Sequence, residues 1–284
     1  MCIARKNHKD FSERTCAKSK GLCVPKGLNR CILYNDLTSE ENVERKLQMS
    51  KVISNERIDE DFFLLKVEDQ KVSKIGQFYM LRAWDSYPTL SRPISVYDSD
   101  DNSVSFLVKI VGEGTEILSE LKKGDDIEIT GPLGKGFPED ISGKIALVGG
   151  GVGIAPLFKS AKEYKKNPNN TVDVYLGFSG TPILEDEYKK NCDNLIVNVG
   201  GFITDDIDTT KYDYILTCGP EIMMQVLYKK CKEEKTDDRL YVSMENRMAC
   251  GFGACLVCTC KTNHGNKKVC KDGPVFLAND VWGE

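Results

Sequence analysis

Long hydrophobic segments, an excess of positive charge and an apolar N-terminus are all missing from this sequence. The longest apolar runs, such as Ile145–Val148 and Val104–Val111, have the length of a strand and fall far short of a membrane span. The formal net charge is −4, with no basic run of the kind that binds nucleic acid. Met1–Asp10 mixes Arg, Lys and Asp where a secretory signal would be apolar. We expect a cytoplasmic globular protein that neither spans a membrane nor binds nucleic acid.

Cysteine is absent from residues 32–191, although the sequence holds 12 cysteines. Five fall within Cys250–Cys270, four lie within Cys2–Cys31, and the other three stand apart. In a reducing compartment such clusters indicate metal or redox chemistry and not disulfides.

The order of predicted strands and helices along the chain indicates a multidomain protein of the α+β and α/β classes. In residues 50–142, short β-rich runs separated by Gly, Asp, Ser and Pro predict an antiparallel β-barrel. A helix over Thr115–Lys122, capped by Thr115, is expected to interrupt it. In residues 143–242, alternating strands and helices predict a doubly wound parallel sheet that binds a nucleotide. Residues 243–284 would form a small cysteine-rich domain, and residues 1–49 an extension.

Four cysteines near the C-terminus have the spacing of a plant-type iron–sulfur loop. Three of them are separated by four and then two residues, and the fourth follows a predicted strand-turn-strand stretch. Gly251 and Gly253 would let the backbone curl around a cluster and point N–H groups at its sulfurs. The predicted ligands are Cys250, Cys255, Cys258 and Cys270.

A zinc site is the alternative for this loop, because Cys255 and Cys258 alone would fit a zinc knuckle. Zinc sites usually offer two such pairs, and Cys260 with Cys270 does not form a second one. Cys260 would share a strand face with Cys258, so spacing alone does not exclude it as a ligand, but a buried free thiol is the favoured interpretation.

A glycine-rich turn follows a hydrophobic strand and opens a helix, where the backbone could approach a pyrophosphate at the helix N-terminus. A second turn ends a later strand in the same predicted sheet. Each turn could equally be tight packing, and only the pair makes a nicotinamide cleft credible. The residues concerned are Gly149, Gly150, Gly151 and Gly153 in the first turn, and Cys218, Gly219 and Pro220 in the second.

The barrel segment contains Arg92-Pro93-Ile94-Ser95 and, downstream, Gly114-Thr115 at a predicted helix start. An arginine, a serine hydroxyl and helix N–H groups suit the phosphates and ring edge of a flavin. On the residues alone, an ordinary Arg-Pro turn and glycine-rich helix start remain an equal alternative.

The order of these motifs resembles the ferredoxin-reductase superfamily. The stretches Ser243–Cys255 and Val269–Phe276 are similar to the signature of class 1B dihydroorotate dehydrogenase electron-transfer subunits, and the similarity spans residues 51–284. The resemblance implies FAD, a [2Fe–2S] cluster and NAD(H) as ligands. It assigns the glycine and Cys218–Pro220 turns to the nicotinamide nucleotide and the four cysteines to the cluster. It assigns FAD contacts to Arg92, Pro93, Ile94, Ser95, Val108, Lys109, Gly114 and Thr115.

The function implied is electron transfer between NAD(H) and a catalytic, FMN-containing partner flavoprotein in pyrimidine biosynthesis, with no side chain acting as acid or base. Cys250 favours this family, because the related ferredoxin-dependent NADPH oxidoreductases tend to have Asp there. NAD is favoured over NADP because Glu185–Glu187 follow the second strand and no Arg is available for a 2′-phosphate. NADP stays the alternative, since Ser179 after the same strand could bind a phosphate. The alternatives are a small subunit of another ferredoxin- or sulfur-linked flavoprotein complex and a zinc-stabilised nucleotide-binding regulator.

The N-terminal extension departs from the family. Its cysteines could form a second metal or cluster site, but their separations are long and irregular, which favours a partner-docking segment with incidental thiols. They are Cys2, Cys16, Cys23 and Cys31.

Overall fold

The structure is a computed structural model that describes residues 48–283. The four cysteines of the predicted extension lie outside the described residues, so both interpretations of that segment stay open. Within residues 48–283, no helix is both long and apolar enough to cross a membrane.

Seven antiparallel strands form the first sheet, in the order β4-β3-β7-β1-β2-β6-β5. Its edge strands β4 and β5 are consecutive in the chain. Between them, Val96 N–H donates to Gln77 O and Tyr97 N–H donates to Ser105 O, which closes the sheet into the predicted barrel. The bounds are β1 Gln48–Arg57, β2 Phe62–Glu68, β3 Phe78–Arg82, β4 Arg92–Ser95, β5 Asp98–Ser99, β6 Ser103–Lys109 and β7 Asp126–Leu133.

Alternate residues of the barrel strands fill its interior, as the two-residue period of a strand requires. In β2, Phe63, Leu65 and Val67 belong to the interior cluster, together with Val104 and Phe106 of β6. The opposite face of β2 and β6 packs against the second sheet, so the two sheets share a core.

The barrel helix α1 spans Glu113–Glu120 and begins two residues before the predicted start at Thr115. Thr115 is the third helical residue and not the N-cap. Its Oγ1 reaches back to accept the N–H groups of Val111 (2.9 Å) and Gly112 (3.2 Å). The threonine therefore still satisfies helix-start donors, but from inside the first turn.

Five parallel strands form the predicted nucleotide-binding sheet, in the order β10-β9-β8-β11-β12. The strands are β8 Lys144–Gly150, β9 Thr171–Phe178, β10 Asn194–Val199, β11 Tyr214–Cys218 and β12 Leu240–Ser243, with helices α2 Ala155–Lys165, α3 Glu185–Lys189, α4 Ile203–Asp206 and α5 Glu221–Glu233 between them. The central strand β8 is buried from Ile145 onward, as expected of a strand covered on both faces. The strand order reverses between β8 and β11, where such sheets bind ligands at their carboxyl ends.

The C-terminal segment forms a hairpin of β13 (Thr259–Thr262) and β14 (Gly265–Lys268), followed by α6 (Val269–Asp272). The next strand, β15 (Val275–Leu277), pairs antiparallel with β12 and adds a sixth strand to the second sheet, before α7 (Ala278–Trp282). The segment is thus anchored to the parallel sheet, and the boundary proposed at residue 242 stays a prediction.

Candidate functional site

The two glycine-containing turns of the parallel sheet lie side by side. Gly149 at the end of β8 is in register with Cys218 at the end of β11. A Cβ atom on Gly153 would overlap the carbonyl oxygen of Cys218 and the Cα of Gly219. Only glycine allows this approach of backbone to backbone, so the two turns depend on each other for their geometry.

A cavity of about 660 Å³, the sheet-end cavity, opens beyond these turns. Among the lining residues that fall within 48–283, Lys109 and Glu245 are the charged side chains, and none is an arginine. Phe202 and Ile222, which are 77% and 68% exposed, line it with apolar surface. Neither residue was predicted from the sequence, although Phe202 follows a Gly200-Gly201 pair in a turn after β10.

A second cavity of about 320 Å³, the barrel cavity, lies between the barrel and the start of α2. Ala155 and Pro156 of α2 form one wall, and Met244 and Met248 add apolar surface from the C-terminal segment. The structure brings into its lining the predicted flavin-site residues Arg92, Pro93, Ile94, Ser95, Val108, Lys109 and Thr115, together with Cys218.

Arg92 is held between Trp84 and α1. Its guanidinium carbon lies 5.3 Å from the centre of the Trp84 ring, a cation–π distance. A Cβ on Gly114 would lie 2.5 Å from the Arg92 Nε, so the glycine makes room for the arginine. Gly114 is not itself a lining residue of the barrel cavity; it makes space for the side chain of Arg92, which is one. An arginine and a helix start beside an apolar slot fit a flavin diphosphate and ring.

The two cavities adjoin, because Lys109, Val152 and Glu245 line both. Of the predicted residues, Gly150, Gly151, Gly153, Gly219 and Pro220 line the sheet-end cavity, whereas Gly149 lines neither.

Glu245 stands at the junction and was not singled out from the sequence. Loss of hydration within the surrounding protein raises the pKa of its carboxyl. The Glu245 side chain is nevertheless exposed to solvent in the open cleft. Its carboxyl is therefore surrounded by protein atoms without being buried. Its place two residues after the strand β12 was the signal available in the sequence.

The cysteine loop gathers its sulfurs as two pairs. The Sγ atoms of Cys258 and Cys270 are 3.2 Å apart and both side chains are buried. Cys250 is half-buried and accepts hydrogen bonds from the N–H groups of Phe252 (3.4 Å) and Cys255 (3.5 Å) and from the Cys255 thiol. Burial alone would raise the pKa of the Cys250 thiol, but these donors lower it and favour a thiolate.

Within residues 48–283, no three His, Cys, Asp or Glu side chains converge around a point that could hold one metal ion. The four thiols form the pairs Cys250/Cys255 and Cys258/Cys270. Two pairs of thiols with backbone N–H groups directed at sulfur fit a two-iron cluster held by four thiolates. Cys260 lies outside both pairs, in the hairpin opposite Lys267.

Together the barrel, the parallel sheet and the cysteine loop define a flavin- and iron–sulfur-dependent oxidoreductase of the ferredoxin-reductase type. Residues 45–137 match the oxidoreductase FAD-binding domain family. Residues 245–282 match the iron–sulfur cluster binding domain of dihydroorotate dehydrogenase B.

Relatives and solved structures agree with this class. The dihydroorotate dehydrogenase B (NAD(+)) electron transfer subunit of Clostridium acetobutylicum is 47% identical, covering 84% of this chain and 98% of its own. The Clostridium perfringens subunit is 44% identical over 81% of this chain and 96% of its own. A solved NADH-dependent reduced ferredoxin-NADP oxidoreductase has a TM-score of 0.75 at 31% identity, covering 83% of this chain and 90% of that one. The chain belongs to the family of dihydroorotate dehydrogenase B electron transfer subunits.

Proposed function

We propose that this chain carries electrons between NAD(H) in the sheet-end cavity and a catalytic flavoprotein subunit that docks beside the cysteine loop. The observation that carries the proposal is the shared wall of the two cavities, formed by Lys109, Val152 and Glu245. Ligands in adjoining cavities can meet at that wall. Bound FAD would exchange a hydride with nicotinamide and single electrons with the iron–sulfur cluster.

The side chains of this chain bind and orient, and none needs to act as acid or base. We assign the FAD contacts to Arg92, Pro93, Ile94, Ser95, Val108, Lys109, Gly114 and Thr115, and the nucleotide contacts to Gly149, Gly150, Gly151, Gly153, Cys218, Gly219 and Pro220. Gly114 acts by leaving room for Arg92, and Gly149 by its register with Cys218. Cys218 itself lines the barrel cavity, so it would contact the nucleotide where that ligand meets the flavin. Ile94 and Pro156 supply apolar surface in the barrel cavity.

The nucleotide is NAD in this proposal and not NADP. No arginine of the described part of the chain lines the sheet-end cavity, and its lysine, Lys109, lies at the wall shared with the barrel cavity. A 2′-phosphate on the adenosine would therefore lack the bidentate partner that phosphate groups favour. Phe202 and Ile222 offer an apolar surface that suits an adenine ring.

We assign one iron to Cys250 and Cys255, because the N–H and the thiol of Cys255 both donate to the Cys250 Sγ. We assign the other iron to Cys258 and Cys270, whose Sγ atoms are 3.2 Å apart. Exposed Leu256 and Val257 lie on the loop itself, where a docked partner would cover them. We identify that partner as an FMN-containing, dihydroorotate-oxidising subunit, because the named relatives are subunits of dihydroorotate dehydrogenase B. The cytoplasmic location predicted from the sequence is part of the same proposal.

The test is anaerobic purification of the tagged chain from cells that supply its partner. We expect a brown holoprotein with FAD and two irons, whose flavin absorbance is bleached by NADH and much less by NADPH. A copurifying subunit should contain FMN, and the complex should reduce NAD with dihydroorotate. A flavin that NADH does not reduce, or a complex without dihydroorotate oxidation, would contradict the proposal.

A further inference from the structure

Lys159 is a buried lysine that the proposed electron path does not use. It lies on α2, and only 3% of its surface is exposed. Its side chain extends from this helix to the barrel. There it donates to the carbonyl oxygen and the hydroxyl (3.2 Å) of Ser73 and to the hydroxyl of Ser99. All three ammonium donors thus find oxygen acceptors on two separate barrel segments.

No carboxylate within residues 48–283 lies at ion-pair distance from this ammonium. Burial is the main influence on the Lys159 ammonium and lowers its pKa. Of the charged groups around it, Glu163 and Asp98 favour the positive charge, and Lys162 and Lys166 oppose it. Burying an ammonium costs hydration free energy that neutral acceptors offset only in part, so Lys159 contributes little net stability. What its contacts do provide is a fixed connection between α2 and two barrel segments.

Neighbouring residues attach the same helix to the same corner of the barrel. The rings of Phe158 and Tyr97 stack with centres 4.3 Å apart and planes 4° from parallel. The Lys159 N–H donates to the Tyr97 carbonyl oxygen (3.1 Å), and Lys162 pairs with Asp98. We name these contacts, together with those of the Lys159 ammonium, the α2 clamp.

The clamp is directly connected to both cavities. On the barrel side, Tyr97 comes two residues after Ser95, which lines the barrel cavity. On the helix side, Phe158 comes two residues after Pro156, and α2 follows the turn whose Gly151 and Gly153 line the sheet-end cavity. A shift of α2 against the barrel would move one cavity relative to the other.

We propose that Lys159 is a positioning residue for hydride transfer, which fixes the nucleotide turn relative to the flavin strand β4 through the α2 clamp. The inference rests on the proposed function, in which NADH gives up a hydride to the flavin and leaves as NAD⁺. Because hydride transfer is sensitive to displacements of about 1 Å, a loosened clamp would slow the transfer more than it weakens binding.

The experiment compares anaerobic holoproteins of the wild type, Lys159→Met, Lys159→Arg and Ser99→Ala, with Lys166→Met as the matched control. Lys166 lies one residue beyond the same helix and pairs with Glu163 at the surface. Stopped-flow absorbance gives the rate of flavin reduction at saturating NADH, the half-saturating NADH concentration and the nicotinamide–flavin charge-transfer band. Amide hydrogen exchange reports on residues 95–99 and 155–162 independently of turnover.

For Lys159→Met we expect a saturating rate lower by about tenfold, a half-saturating concentration within about twofold, a weaker charge-transfer band and faster exchange at the clamp. Lys159→Arg, which keeps charge and donors, should recover part of the rate. Ser99→Ala, which removes one acceptor, should lower the rate about threefold, and Lys166→Met should match the wild type.

The proposal is overturned if Lys159→Met keeps the wild-type rate and band, or if its only defect is loss of FAD. Should Lys159→Met not fold, Ser99→Ala decides alone, and an unchanged rate there overturns the proposal. A wild-type flavin that NADH cannot reduce would instead contradict the proposed function, so the two failures are distinguishable.

Discussion

The cysteine loop and the paired cavities are assembled in different ways. The loop takes all four sulfurs from residues 250–270. Its glycines Gly251 and Gly253 have φ angles of 74° and 88°, a left-handed conformation that residues other than glycine rarely adopt. The cavities take their walls from segments as far apart as Arg92 and Glu245. The loop therefore depends on residue identity and local backbone conformation, and the cavities depend on contacts between distant segments.

The difference teaches that damage to one region should leave the other intact. Loop substitutions should remove the cluster while FAD and NADH still bind, and cavity substitutions should weaken one ligand while the cluster remains. The substitutions below test that separation, in order of decreasing effect.

Cys258→Ser should have the largest effect. Cys258 is buried beside Cys270, so a hydroxyl there would leave one iron with a single thiolate. We expect iron content to fall at least about tenfold, with loss of the cluster's visible absorption, while FAD content and flavin reduction by NADH persist. Iron and flavin analysis of anaerobic protein provides the measurement.

Cys260→Ser is the matched control, because Cys260 lies two residues away but outside both sulfur pairs. It should retain full iron content. Iron retained in Cys258→Ser, or lost equally in both variants, would show that we have assigned the wrong ligands.

Gly153→Ala should give the next largest effect, in the cavities and not in the loop. The new Cβ would meet the backbone of Cys218 and Gly219, which cannot move aside as a side chain can. Overpacking of about 2 kcal/mol corresponds to roughly a 30-fold loss of NADH affinity. Titration of flavin reduction against NADH would measure it, with iron content unchanged.

Gly180→Ala serves as the control for that substitution, since a Cβ at Gly180 meets no atom within 4 Å. Its NADH affinity should equal that of the wild type. A Gly153→Ala protein with normal affinity would argue that the two turns do not form the nucleotide site.

Gly114→Ala should have a smaller effect, because the obstructing group is the movable end of a side chain. The Cβ would displace the Arg92 guanidinium from its place beside Trp84. Weakening of one charge-assisted hydrogen bond gives about a tenfold loss of FAD affinity. Gly112→Ala, where a Cβ meets nothing within 4 Å, should bind FAD normally in the same fluorescence titration. Equal losses in the two variants would point to the helix start and not to Arg92.

The same contrast explains how much could be predicted from the sequence. The spacing of Cys250, Cys255 and Cys258 indicates a cluster from one short stretch of sequence. The predicted barrel and parallel sheet are also confirmed. They could be predicted because the periodicity of a strand is a local property of the sequence. The two glycine turns were ambiguous one at a time. The structure removes part of that ambiguity, because Gly153 and Cys218 are in contact.

Features made by tertiary contact left little trace in the sequence. Strand β1, with its mixed polar sequence Gln48–Arg57, was not predicted, and it is held by pairing with β2 and β7. In the sequence, nothing distinguishes Lys159 from the other lysines of its helix. Its burial against Ser73 and Ser99 is visible only in the structure. Phe202 and Glu245 likewise gain meaning only from the cavities that they line.

Lys109→Ala should have the smallest effect and bears most directly on whether the cavities are separable, because Lys109 lines both. Its ammonium is loosely held, 5.6 Å from the centre of the Phe62 ring and 3.9 Å from Asp61, with 42% of the side chain exposed. Partly screened attraction to phosphate groups is worth about 0.7 kcal/mol, or roughly threefold in affinity.

We expect Lys109→Ala to weaken FAD and NADH alike by that factor, and Lys109→Arg to restore both, since it keeps the positive charge. Lys66→Ala on neighbouring β2, which removes an exposed lysine paired with Asp100, should change neither. Separate titrations of FAD into apoprotein and of NADH into holoprotein give the two affinities. A loss confined to one ligand would assign Lys109 to a single cavity, and the shared wall would then rest on Val152 and Glu245 alone.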